Sequence, residues 1–350
     1  MKRLALLVLA ASFALPGAAR GAACSPLDCA PSQFALGHGL MGFRSMVSKP
    51  VTVVDLRTGA RKWVLPAGLT GGNLLVHQAG RNLAWYDATR GAHLYDVTLP
   101  SVEYSLAGLS QNGSRAVLSR FSPKGTRFLV ASRHGQRTLV VPGARWQFDA
   151  LRGRNLILIH DIPTGGYQVR LFDLVSNRLV RQPLKDPHES ATIWGSPFER
   201  LSSADGRYLF TLYIGPNGGS MIHELDLQNA TARCIDLPGT GDYSSATSWG
   251  LVLAPGQRKI LAVSPGYGRV VAIDVRAARV VSSFRIDLPY WNTGNVVTAA
   301  IAPDGRRLAL ANGEQVAVVG LGRRRIVSRH ANTAIAVGFS PDGARLWTLS

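Results

Sequence analysis

One short unit recurs along the chain and sets its architecture. Its clearest copies are Ser340-Pro341-Asp342-Gly343-Ala344-Arg345-Leu346-Trp347, Ala302-Pro303-Asp304-Gly305-Arg306-Arg307-Leu308-Ala309 and Ser203-Ala204-Asp205-Gly206-Arg207-Tyr208-Leu209-Phe210. A looser copy is Ser110-Gln111-Asn112-Gly113-Ser114-Arg115-Ala116-Val117. In each, an Asp or Asn can accept hydrogen bonds from the turn amides, and glycine supplies the positive φ that a tight turn needs. A basic or polar residue and an apolar run follow, as at the start of a strand. A repeated turn of this kind means that the chain buries its apolar surface by stacking similar units against one another.

The segments between these turns read as strands. Arg269-Val-Val-Ala-Ile-Asp274, Met221-Ile-His-Glu-Leu-Asp226, Val51-Thr-Val-Val-Asp-Leu56 and Tyr167-Gln-Val-Arg-Leu-Phe-Asp173 are short and rich in β-branched and aromatic residues. Each runs into an Asp-initiated turn, and a further strand such as Arg279-Val-Val-Ser-Ser-Phe-Arg285 comes next. No stretch holds an apolar period of 3.6 residues between caps, so helix is expected to be nearly absent. Units begin near residues 73, 104, 146, 198, 248 and 296. Four strands per unit, at a period of roughly 40–50 residues, is the signature of a propeller blade. The expected fold is all-β: a single β-propeller of about seven four-stranded blades. The second unit lacks a clear first strand, so six and eight blades stay open. The N-terminal blade also lacks an evident first strand, and the chain ends after one further hairpin. The C-terminal strand is therefore expected to pair with the N-terminal blade and close the ring, which would protect an open sheet edge.

The Asp-Gly turn before the second strand, and the (Val/Ile)-x-x-(Ile/Leu)-Asp strand before the next turn, resemble those of exported bacterial YVTN-type and WD-repeat-like β-propellers. The resemblance spans nearly all of the chain after its first residues. It implies the fold; members of the group include lactonases, dehydrogenase subunits and many proteins of unknown role, so it says little about reaction. The Gly-His and Trp-Asp pairs of true WD repeats are missing.

Residues 1–23 read as a secretory signal peptide: Lys2 and Arg3, then an apolar run over 4–15, then Pro16-Gly17 and small residues up to Ala23. Residues 24–350 would form the propeller, exported to the periplasm, cell wall or medium, monomeric, with no transmembrane segment. Gly21 stands three places before Cys24, where a lipidation signal carries an aliphatic residue, so lipid anchoring at Cys24 is not expected. Export permits disulfides. Cys24 could pair with Cys29, or Cys29 with Cys234, and the sequence does not choose. Cys234 lies in an alternating strand pattern with no histidine near it in sequence, which suits a structural thiol better than a nucleophile. The formal net charge is +18, and loss of Lys2, Arg3 and Arg20 with the signal leaves +15. Such a chain could attract anionic polymers. Its basic residues are dispersed, however, and Arg323-Arg324-Arg325 falls at a hairpin turn, so no specific nucleic-acid site is expected.

The repeat also isolates residues that it does not explain. Long connections precede the fifth, sixth and seventh blades: Lys185-Asp-Pro-His-Glu-Ser-Ala-Thr-Ile-Trp194, Gly239-Thr-Gly-Asp-Tyr-Ser-Ser245 and Asp287-Leu-Pro-Tyr-Trp-Asn292. The connections at 163–167, 216–219 and 265–268 join them on the same face, and a lopsided pocket over blades four to seven is expected there. Asp186, His188, Glu189 and Asp242 are candidate ligands for a divalent cation, calcium, magnesium or manganese, because oxygen donors with one imidazole suit these ions. Trp194, Tyr243, Tyr267, Tyr290, Trp291 and Asn292 are candidate ligand contacts. Trp63, Trp85, Trp146 and Trp347 lie in strands and are expected between blades. No nucleophile elbow, phosphate loop, His-Glu-x-x-His or haem motif is present. The leading expectation is a non-catalytic exported scaffold that binds a partner protein or envelope glycan through blades four to seven. The alternative is a metal-dependent hydrolase or lactonase on the same face.

Overall fold

The computed structural model describes residues 32–122, 125–143, 146–162, 166–215, 217–239, 243–287, 298–331 and 333–349. Seven four-stranded antiparallel sheets follow one another along the chain, over residues 32–67, 69–98, 105–142, 146–184, 196–237, 250–285 and 298–331. Each is a simple meander, with strands in chain order from inner strand a to outer strand d. They are blades one to seven of a β-propeller. The described helix is limited to single turns at 37–39 and 243–246. No described helix is long and apolar enough to cross a membrane.

The strand sequences follow from position in this stack. Strands b and c are sandwiched between neighbouring blades, so both faces are apolar. In blade six, Ile260, Ala262, Val263, Val270, Val271 and Ile273 are all fully buried. The outer strand of the same blade, Arg279–Arg285, faces water on one side and reads as an alternation of exposed and half-buried residues. The recurrent turn is built as its residues predict. In the copy at 203–208, the Gly206 amide donates to Ser203 O at 2.8 Å and the Arg207 amide to Asp205 Oδ1 at 3.0 Å. Gly206 sits at φ +62°. The copy at 340–345 repeats these contacts.

The apolar core is divided among the interfaces between sheets, and these close a ring. Trp85 with Leu109 and Leu118 joins blades two and three, Phe210 with Trp249 joins five and six, and Leu310 with Val263 joins six and seven. Trp85 and Trp146 are buried between blades as expected, and Trp63 packs half-buried against the interface of blades one and two.

Closure differs in kind from the sequence expectation. The C-terminal strand Ala336–Phe339 pairs with Leu346–Leu349 and forms its own two-stranded sheet. Blade one supplies its own first strand, Ser32–Leu36, paired with Leu40–Arg44. That pairing works because Gly42 leaves room for the ring of Phe34, which a Cβ would approach to 2.1 Å. The hairpin stands between blades seven and one, as an eighth, half-sized position in the ring. Val337 and Phe339 pack on Val316 and Val318 of blade seven, while Ala336 meets Met41 and Phe43 of blade one. Gln33 ties all three together: its Nε2 donates to Ala299 O at 2.6 Å, and its Oε1 accepts from the Val337 amide at 3.1 Å. Trp347 Nε1 donates to Leu56 O at 2.5 Å. Side-chain packing and side-chain hydrogen bonds therefore do what strand pairing was expected to do.

Candidate functional site

On the face formed by the b–c and d–a connections, the loops of blades four to six are stitched to one another. Asp186 anchors the connection from blade four to blade five. Its Oδ1 accepts from the His188 amide at 2.9 Å and its Oδ2 from the Cys234 amide at 3.0 Å, pinning the loop to the outer strand of blade five. Burial opposes ionisation of Asp186, but these two amides and the charges of His188 and Arg233 outweigh it and hold the carboxyl below its usual range. At the far end of the loop, Ile193 and Tyr167 exchange both backbone hydrogen bonds, at 2.9 and 3.0 Å. Gly166, at φ +72°, lies so close that a Cβ would come within 2.8 Å of Ile193 O.

The next connection carries a short helical turn, Tyr243–Ala246. Ser248 Oγ donates to Ser245 O at 2.6 Å and accepts from the Gly266 amide at 2.9 Å, so this turn and the b–c loop of blade six form one unit. Tyr267 extends the stitching to blade five, where its hydroxyl donates to Gly218 O at 3.1 Å.

The candidate residues accordingly have different placements. Asp186, His188 and Glu189 share one loop beside the outer strand of blade five, and both Asp186 oxygens are occupied by amides. Among the described residues, no group of three His, Cys, Asp or Glu side chains could hold a metal ion. Asp242, Tyr290, Trp291 and Asn292 lie outside the described residues, as do Cys24 and Cys29. Tyr267 is half-buried, with its ring 5.9 Å from that of Trp249, and serves as a tie between loops. Trp194 is 57 % exposed and Tyr243 46 % exposed, although Ile193 beside the one and Ser245 near the other are hydrogen-bonded to neighbouring strands or loops. Tyr243 meets Phe198 edge-on, with ring centroids 6.2 Å apart.

A second constellation was hidden by strand register. Arg200, Thr211, His223 and Cys234 are successive cross-strand neighbours on the four strands of blade five. Directly opposed residues share a face, so they form a polar row across the blade, among the apolar residues that face blade four. Arg200 crosses to blade four, where its Nη2 meets Asp149 Oδ1 at 2.6 Å, and its Nε donates to Thr211 Oγ1 at 3.2 Å. His223 is buried, its Nε2 has no partner among the described residues, and burial lowers its pKa to about 4. The histidine absent from the neighbourhood of Cys234 in sequence is thus directly opposite it in the sheet. The pair is nevertheless poised for neutrality. Burial, with Asp186, Glu189 and Asp236 nearby, pushes the Cys234 thiol up to about 12, the reverse of what a thiolate nucleophile requires. The row is a structural tie between blades. Asp149→Ala, which leaves the Arg200 guanidinium without its counter-charge, is expected to lower unfolding free energy by about 3 kcal/mol in a urea titration. Asp149→Asn should cost less, because it retains an acceptor for Arg200.

No protein-family model matches the chain, and no curated protein matches it. Solved structures do. Apo AztD from Citrobacter koseri superimposes with a TM-score of 0.55 at 15 % identity, covering 87 % of this chain and 86 % of that one. A second crystal structure of Citrobacter koseri AztD gives 0.55 at 13 % identity, with the same coverage. The likeness to YVTN-type and WD-repeat-like chains thus rests on turn and strand motifs, with no family model behind it. What this chain shares with AztD is the β-propeller fold.

Proposed function

We propose that this chain is an exported, monomeric, non-catalytic scaffold that binds an envelope glycan or partner protein across the loops of blades four to six. The observation that carries this reading is the pair of exposed aromatics: Trp194, next to Ile193, whose backbone pairs with Tyr167 of blade four, and Tyr243, on a turn tied to blade six through Ser248 and Ser264. Exposing a large aromatic side chain to water on a rigid frame has a purpose at a binding surface. It offers apolar area and a stacking face with little conformational entropy to lose. Export rests on the signal-like residues 1–23. The hydrolase reading draws no comparable support, since Asp186, its central ligand, already accepts two backbone amides.

Tryptophan fluorescence during titration with solubilised wall polysaccharide tests the proposal, with affinity capture of envelope proteins as the parallel arm. Trp194→Ala and Tyr243→Ala are each expected to weaken binding by about tenfold, in line with aromatic hot spots, while leaving the melting temperature within a few degrees. Binding unaffected by both substitutions would overturn the assignment of this face.

A further inference from the structure

The face opposite these loops, built from the a–b and c–d turns, carries a site of different character. A cleft of about 530 Å³ opens there between blades three and four. Arg115, His134 and Arg137 of blade three line it, together with Arg154, Leu174 and Val175 of blade four. Arg154 is neutralised: it forms a two-point ion pair with Asp173, whose carboxyl it holds down to about 2. Arg115 and Arg137 are not neutralised. Arg115 Nη2 donates to Gly153 O at 2.7 Å. Arg137 donates to Leu174 O and, at 3.3 Å, to Asn177 Oδ1. These acceptors are neutral. Among the described residues, neither guanidinium has a carboxylate within ion-pair distance. Each keeps several of its five N–H donors for something else. Two cations braced by carbonyls across a cleft and lacking a counter-charge form an incomplete electrostatic arrangement.

The surroundings reinforce this. The same face carries Arg57, Arg90, Arg133, Arg276, Arg324 and Arg345 in turns around the ring, and the aspartates of those turns offset only part of that charge. Such a field draws anions toward the face. Leu174 and Val175 give the cleft an apolar wall, and Val175 is 71 % exposed.

We propose that the cleft between blades three and four binds a phosphomonoester, with Arg115 and Arg137 taking the phosphate and Leu174 and Val175 the organic body. Two unneutralised guanidinium groups match a dianionic phosphate better than a single carboxylate, and guanidinium forks suit phosphate oxygens. The cleft is larger than a phosphate requires, which leaves room for the organic part. This inference does not depend on the aromatic face, so either can fail alone.

Calorimetric titration of the full chain with phenyl phosphate tests it, with benzoate as the carboxylate control. Saturable binding is expected, about tenfold or more weaker in Arg115→Gln and in Arg137→Gln, as the loss of a charge-assisted hydrogen bond implies. Arg137→Lys should recover part of it, and Arg324→Gln, on the same face but outside the cleft, should leave it unchanged. Thermal melts of each variant separate lost binding from lost folding. Vesicles of phosphatidic acid in phosphatidylcholine distinguish the source of the phosphate: vesicle binding that depends on Arg115, without phenyl phosphate binding, assigns the cleft to a lipid-borne head group. The proposal is overturned by an absence of saturable binding in both arms, by equal binding of benzoate, or by equal weakening in Arg324→Gln, which would mark diffuse attraction to a basic face.

Discussion

A chain ended at residue 331 is expected to lose cooperative folding. The deleted hairpin is only half a blade, but it fills the gap between blades seven and one. Ala334, Ala336 and Val337 are fully buried and Phe339 nearly so. Their removal also bares Met41 and Phe43 on blade one and Val316 and Val318 on blade seven. Burial of a Val, Phe or Met side chain is worth roughly 1.5–3 kcal/mol. The combined loss is therefore on the order of 10 kcal/mol, comparable to the whole net stability of about 5–15 kcal/mol typical of a folded domain. Gln33 would lose the Val337 amide at the same time. Circular dichroism melting and dye binding to exposed apolar surface check this. Trp347→Phe is the graded control: it removes the hydrogen bond to Leu56 O but keeps most of the packing, and should cost only about 1 kcal/mol. A truncated chain that melts sharply within a few degrees of the full-length protein would mean that the seven blades close without the hairpin.

The turns were legible in the sequence because their determinants are local. Ser203, Asp205 and Gly206 satisfy one another within four residues, and so do Ser340, Asp342 and Gly343. The strands between them were legible because burial on both faces leaves b and c strands continuously apolar. The first strand of blade one was not, because Ser32–Leu36 is flanked by no such turn. It pairs through a tight reversal at 37–39, with His38 at φ +63°. With that strand unseen, the C-terminal hairpin stood as its substitute, when it is an additional element.

The site was less legible than the fold, for a related reason. Exposed Trp194 and Tyr243 stood out as aromatics in long loops, where no repeat explains them. Asp186 stood out in the same way; that its two oxygens accept the amides of His188 and Cys234, one of them 48 residues away, is a contact that sequence order does not record. The row from Arg200 to Cys234 depends on register, and a slip of one residue would send each of its members to the opposite face. It could have been found by counting outward from the reversals at 203–208, 214–220 and 226–231, because together those fix which residues stand opposite. Arg115 and Arg137 were invisible among many arginines. Their distinction is that they line one cleft and bond to carbonyls of the next blade, which composition does not record.

The second large effect concerns pH, and it has two opposed parts. Glu199, on the inner strand of blade five, is half-buried, with its carboxyl turned toward the inner strand of blade six. Burial pushes its pKa up to about 8 from an ordinary 4.5, against the opposing effect of the Leu251 amide, which donates to Oε2 at 2.6 Å. The folded state therefore binds a proton that the unfolded state releases between pH 4.5 and 8, and stability falls as pH rises through that window. His223 acts in the other direction. Its pKa drops from 6.5 to about 4, so the unfolded state takes up a proton first, and stability falls as pH drops from 6.5 to 4. The two slopes cancel between about pH 4.5 and 6.5, and the wild type is expected to show little dependence on either group there. Substitution exposes each in turn. Glu199→Gln should leave a profile that rises to about pH 6.5 and then stays level. It should also stabilise the protein by a few kcal/mol at about pH 8, since each tenfold change in proton affinity is worth about 1.4 kcal/mol. The glutamine side chain keeps an acceptor for the Leu251 amide, so packing is retained. His223→Leu should leave the falling limb alone, declining from about pH 4.5 to about 8. Urea unfolding at roughly half-unit steps from about pH 4 to about 9 measures all three profiles, and their differences cancel the groups common to them. Parallel curves for wild type and Glu199→Gln across that range would show that the Glu199 carboxyl ionises normally, and that the inner strand of blade five is open to water.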